Sequence, residues 1–131
     1  GYLLEALGAN RKVGVEADTT YVKVKGIEVY KHINQVPKGS FDLVTAIHVL
    51  EHVSDPVKVM KSMVGYVKKD GYVVIEVPDG KQKEEALEFV HLYGLEPNTL
   101  KLMCAQVGLK VVHMEFTPHL LLICQLTESS Y

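Results

Sequence analysis

Apolar positions along this chain recur with two different periods, and the switches between them predict its elements. Leu43 to Ile47, introduced by Phe41-Asp42, is an apolar run bounded by polar residues and reads as a strand buried on both faces. A helical period follows. Ser54-Asp55-Pro56 supplies a cap and an N-terminal proline, after which Val57, Met60, Met63, Val64 and Val67 fall on one face. Lys68 and Lys69 suit the negative end of that helix, Asp70-Gly71 is expected to turn the chain, and Tyr72 to Val77 reads as a second buried strand stopped by Pro78. Two buried strands joined by a helix must run parallel, so this stretch predicts a βαβ unit.

The flanking patterns extend the same alternation. Gly1 to Leu7 reads as a short helix ended by Gly8, Lys12 to Val15 as a strand, Thr19 to Lys25 as a weak helix ended by Gly26, and Ile27 to Tyr30 as a strand. Residues 31–40 form a loop, and the charged segment Lys81 to Glu85 opens a helix or a flap. A further helix begins at Pro97 or Asn98 with Leu100, Leu102, Met103 and Val107 apolar, and Gly108 terminates it. Leu109 to Phe116 and Leu120 to Leu126 are strands separated by three residues, too few for a parallel crossover, and must form an antiparallel hairpin.

Composition narrows the class. The 131 residues form one expected domain, 1–131, long enough to bury roughly two thirds of the unfolded surface. A net charge of −2 offers no electrostatic grip on nucleic acid. Cys104 and Cys124 lie in apolar segments and are expected to be buried free thiols. No apolar stretch approaches membrane-spanning length, so a cytoplasmic protein without membrane partners is the expectation.

Chemistry concentrates at predicted strand ends. Glu16-Ala17-Asp18 follows the strand Lys12 to Val15, at the edge where an open α/β sheet binds ligands and an acid can accept both hydroxyls of a ribose. The same acids could equally begin the next helix, favoured by its dipole. His48-Val49-Leu50-Glu51-His52 fits H-x-x-E-H, the motif of inverted zinc peptidases, which needs both histidines on one long helix. Here the five residues fall between a strand and a helix start, so polar residues lining a sheet edge are the simpler reading.

Phe41-Asp42-Leu43-Val44, His48 to Pro56 and Lys69 to Pro78 together resemble the central block of class I S-adenosylmethionine-dependent methyltransferases, in the group with an FDxV…HVLEHxxDP…LKPGGxLxIxVP pattern. Gly1 to Leu7 resembles the helix after that family's glycine-rich loop, and Val13-Gly14-Val15-Glu16 its second strand with the ribose-binding acid. His91-Leu92-Tyr93 to Thr99-Leu100, then Val107-Gly108-Leu109, is similar to its late segment. The resemblance implies a three-layer Rossmann-like α/β fold with a mostly parallel sheet of about six strands and an antiparallel last strand. It also implies S-adenosylmethionine as cofactor and a small-molecule methyl acceptor.

Carried over residue by residue, the resemblance places Gly1, Glu16, Ala17, Ala46, Ile47 and His48 against the cofactor, with His32 or Asn34 supplying a polar contact to its adenine. Glu51 and His52 would orient the loop or face substrate, and His48, His52 or His91 would be the base. The family's first strand and most of its glycine loop have no counterpart ahead of Gly1. The expectation is therefore an N-terminally truncated fold with weakened cofactor binding, in which the strands Lys12–Val15 and Leu43–Ile47 pair directly or a second copy covers the gap in a homodimer. A catalytically silent fold remnant or interaction module is the alternative function, and a zinc peptidase using His48, Glu51 and His52 a remote one.

Overall fold

The computed structural model describes residues 8–9, 11–16, 26–37, 41–78, 95–116 and 119–127. The chain divides into two compact units, Gly1–Lys38 and Gly39–Tyr131.

In the first unit, β1 (Lys12–Val15) and β2 (Ile27–Tyr30) pair in parallel, from Lys12 opposite Ile27 to Val15 opposite Tyr30. Both strands are mostly half-buried. The Glu16 N–H donates to the Tyr30 carbonyl at 2.9 Å, carrying the pairing one residue past β1. A bidentate contact of the Arg11 guanidinium with Glu28, 3.0 Å at each oxygen, braces the pair from the surface. After β2 the chain makes a 3-10 turn, Ile33–Gln35, in which Gln35 Oε1 accepts the main-chain N–H groups of Lys31 and His32, each at 3.1 Å.

The second unit contains β3 (Phe41–Ile47), a 3-10 turn (Leu50–His52), α1 (Pro56–Val64), β4 (Val67–Val77), α2 (Pro97–Gln106), β5 (Leu109–Glu115) and β6 (Leu120–Leu126). Its sheet has the order β3-β4-β6-β5. β3 and β4 are parallel; β6 is antiparallel to β5, as the short hairpin connection required, and antiparallel to β4 as well. The six described strands thus form a two-stranded and a four-stranded sheet.

Local signals account for the helices. Asp55 Oδ1 accepts the Lys58 N–H at 3.1 Å, Pro56 opens α1, and Met60 and Met63 are its buried residues. α2 buries Leu100, Met103 and Cys104, and Gly108 follows at φ 81°, a left-handed terminator that glycine adopts without steric cost. Leu102, expected among the apolar face, is 67% exposed.

Three expectations change. The helix does not reach Val67: α1 stops at Val64 and Gly65 caps it, so Lys68 and Lys69 lie in β4 rather than at a helix end. Lys68 pairs instead with Asp42, which raises the pKa of its ammonium through the hydrogen bond and then the charge. Asp70-Gly71 is not a free turn but part of a bulge in β4, because Phe41 faces Val67 while Leu43 faces Tyr72. A Cβ on Gly71 would lie 2.8 Å from the Asp42 main-chain oxygen and from Val67 Cγ2, so the close approach of the two strands requires glycine there. Finally, β3 is not buried on both faces. It is an edge strand of the four-stranded sheet, with Leu43 and Ile47 each 37% exposed and only Ala46 buried.

The core of this unit lies against β4 and β6. Alternate residues Val73, Ile75 and Val77 of β4 and Leu120, Leu122 and Cys124 of β6 are fully buried, each large aliphatic side chain contributing roughly 1.5–3 kcal/mol. Cys104 and Cys124 are free thiols with Sγ atoms 4.0 Å apart. The Cys104 sulfur and then burial push the Cys124 thiol up, which makes it a core group rather than a nucleophile. Among the described residues no helix is long and apolar enough to cross a membrane.

Candidate functional site

The carboxyl ends of parallel strands deliver polar groups in both units. In the first unit, Glu16 follows β1 directly and is exposed, while His32 and Asn34, also exposed, follow β2 at the same end of that pair. An exposed carboxylate in this position presents two acceptor oxygens, which suits the paired hydroxyls of a ribose. Gly1, Ala17, Asp18 and His91 lie outside the described residues.

In the second unit the same logic acts on three strands. β3 ends at Ile47, and the ladder continues one step as the His48 N–H donates to the Glu76 carbonyl at 2.8 Å. His48 then takes φ 55°, a left-handed conformation that costs a side-chain-bearing residue about 1–2 kcal/mol. This conformation aims its ring back at β4, where His48 Nε2 lies 3.2 Å from Glu76 Oε2. Because β6 runs antiparallel to β4, it begins where β3 and β4 end, so His119, just ahead of β6, arrives at the same end. The His119 ring meets the His48 ring edge-on, with centroids 4.6 Å apart and planes at 86°. The His48 side chain is 38% exposed and that of Glu76 28%, so the cluster is open to a ligand yet partly shielded from water.

Of the residues expected here, Ala46 is buried, Ile47 is partly exposed and His48 joins the cluster. His52 is exposed at the end of the 3-10 turn. Glu51 does not face outward. It is 1% exposed, and both carboxylate oxygens lack a hydrogen-bond partner among the described residues, so of its two expected roles only shaping the loop from within is compatible with its position. The H-x-x-E-H helix does not form: His48 is left-handed and Leu50–His52 is a single 3-10 turn, so the two histidines do not share a helical face. No group of three potential ligands that could hold a metal ion occurs among the described residues.

Glu76 and His119 were not among the expected site residues. A sequence signal existed for the first, since a carboxylate inside Val73-Val74-Ile75-Glu76-Val77 interrupts an otherwise apolar strand. His119 carried none beyond its place in a hairpin loop.

The family profile described as "Methyltransferase domain" matches residues 1–114. The ubiquinone biosynthesis O-methyltransferase of Albidiferax ferrireducens (strain ATCC BAA-621 / DSM 15236 / T118) is 30% identical over 132 residues, covering 87% of this chain and 52% of that protein. The chain spans about half the length of the curated relatives it matches. Among solved structures, the "putative type 11 methyltransferase from Sulfolobus solfataricus" superposes with TM-score 0.76 at 15% identity over 96% of this chain and 75% of its own. An S-adenosylmethionine-dependent methyltransferase from Mesorhizobium loti superposes with TM-score 0.71 at 14% identity over 90% and 81%. At these identities the structural likeness speaks for the fold: a Rossmann-like α/β methyltransferase architecture.

Proposed function

This chain belongs to the class I S-adenosylmethionine-dependent methyltransferases, and on that premise we propose that it is a methyltransferase domain acting on an oxygen of a small molecule. The observation that carries the reading is the arrival of His48, Glu76 and His119 at one end of the four-stranded sheet. The name of the Albidiferax relative supports an oxygen acceptor. By resemblance to the family, Glu16 in the first unit would accept the ribose hydroxyls of the cofactor and His32 or Asn34 would contact its adenine, while Ala46, Ile47 and His48 in the second unit are the family's further cofactor positions. When bound, S-adenosylmethionine supplies a sulfonium methyl group whose transfer leaves the C–S electron pair on sulfur. His48 would take the proton of the acceptor hydroxyl as that oxygen gains the methyl.

Isothermal titration with S-adenosylhomocysteine tests the reading. We expect micromolar binding by the chain and a loss of roughly tenfold or more in Glu16→Ala, since a charge-assisted bidentate contact is removed. Absent binding by the parent chain overturns it.

A further inference from the structure

Resting on the reading of His48 as the base, we infer that Glu76 is its positioning residue: one glutamate holds the histidine by main chain and side chain together and selects which ring nitrogen accepts the proton. The first hold is the 2.8 Å bond from the His48 N–H to the Glu76 carbonyl. The second is the carboxylate, 3.2 Å from His48 Nε2. A left-handed φ is uncommon for a residue with a side chain, although histidine, like asparagine and aspartate, enters it more readily than most, and here it accompanies a ring set against Glu76. The sheet over-determines that strain, because Ile47, the residue before His48, is paired in register with Glu76 itself.

The consequence is chemical. A carboxylate opposite Nε2 favours the tautomer with hydrogen on that atom, which leaves the Nδ1 lone pair to receive a proton. Once Nδ1 is protonated, both ring nitrogens carry hydrogen and the facing carboxylate balances the charge, as in other carboxylate–histidine pairs. The contact is at ion-pair distance without in-line hydrogen-bond alignment, and a small rotation of either side chain converts it to an N–H···O bond, the tightening expected when a site fills. His119 stands edge-on to the same ring and limits its rotation. Glu76 on β4 and His119 ahead of β6 both face His48.

Proton NMR of the chain with S-adenosylhomocysteine added provides a readout independent of turnover. A ring N–H held by a carboxylate gives a downfield resonance that exchanges slowly with water. We expect a resonance from His48, told apart from any given by the exposed His113–Glu115 contact by its loss in His48→Asn and Glu76→Met, and exchanging roughly tenfold faster in Glu76→Gln, whose neutral amide oxygen is a weaker acceptor. The isosteric glutamine variant keeps the measurement informative if methionine at position 76 prevents folding. A resonance absent from the parent, or unchanged in both Glu76 variants, overturns the assignment. Failure of the parent to bind S-adenosylhomocysteine while the resonance is present would instead sink the methyltransferase reading and leave the pairing of Glu76 with His48 standing.

Discussion

Two parallel strand pairs in this chain solve the same problem with different energetic backing. β1 and β2 present Glu16, His32 and Asn34 at their carboxyl ends, and β3 and β4 present His48 beside Glu76. The first pair is mostly half-buried and braced by a surface contact between Arg11 and Glu28. β4 of the second pair is sandwiched between β3 and β6 and buries Val73, Ile75 and Val77 completely. A ribose-type acceptor needs only an exposed carboxylate, which a shallow strand pair can present. A strained histidine must be held by a strand that cannot shift, and the strained residue is found on the deeper pair.

The most direct way to break this comparison is to cut both regions equally. Ile75→Ala should lower stability by about 2–5 kcal/mol, because a fully buried side chain leaves a cavity, whereas Val13→Ala in β1 should cost about 1 kcal/mol or less. Urea unfolding of the two variants measures the ratio, and equal losses would contradict the asymmetry. A smaller effect of opposite sign sharpens it. His48→Gly relieves a left-handed strain of about 1–2 kcal/mol and adds about 0.5–1 kcal/mol of chain flexibility to be ordered, so stability should rise by up to about 1 kcal/mol while, on the proposed function, methyl transfer would be lost. A lowered melting temperature in that variant would mean that the conformation is not strained.

The smallest expected effect concerns the brace on β1 and β2. The hydrogen bond from Arg11, followed by its charge, holds the Glu28 carboxyl below its ordinary value of 4.5. A depressed carboxylate pKa adds stability that is complete above the ordinary value and is lost as the pH falls through the lower folded value. The Arg11 side chain is half exposed, so solvent screens the pair and the effect on global unfolding should be slight. The protection of the β1 and β2 ladder amides, measured as exchange relative to the intrinsic rate at each pH, should nevertheless fall more below pH 4.5 in the parent than in Arg11→Met, which has already lost the contact. Identical acid dependence in both would show that the brace does not matter even locally.

Much of this architecture was legible because its signals are local. The Asp55-Pro56 start of α1, the Gly108 end of α2 and the alternation from Leu120 to Leu126 each follow from residues within a few positions of one another. The end of α1 was misread because Val67 continues the helical period by coincidence, while Gly65 and the pairing of Val67 with Phe41 draw that residue into β4. The exposed face of β3 was misread because an apolar run does not reveal whether its strand lies at the centre or the edge of a sheet.

Sequence alone determined the class of the fold, the order of its strands along the chain, the antiparallel last strand and the candidacy of Glu16 and His48, since these depend on periodicity, turn chemistry and motif spacing. Tertiary structure decided which strands lie side by side, and so brought Glu76 and His119, 28 and 71 positions beyond His48, against its ring. Strand pairing is a long-range event governed by the burial of whole faces, and no local pattern around His48 records what the antiparallel return of β6 places beside it.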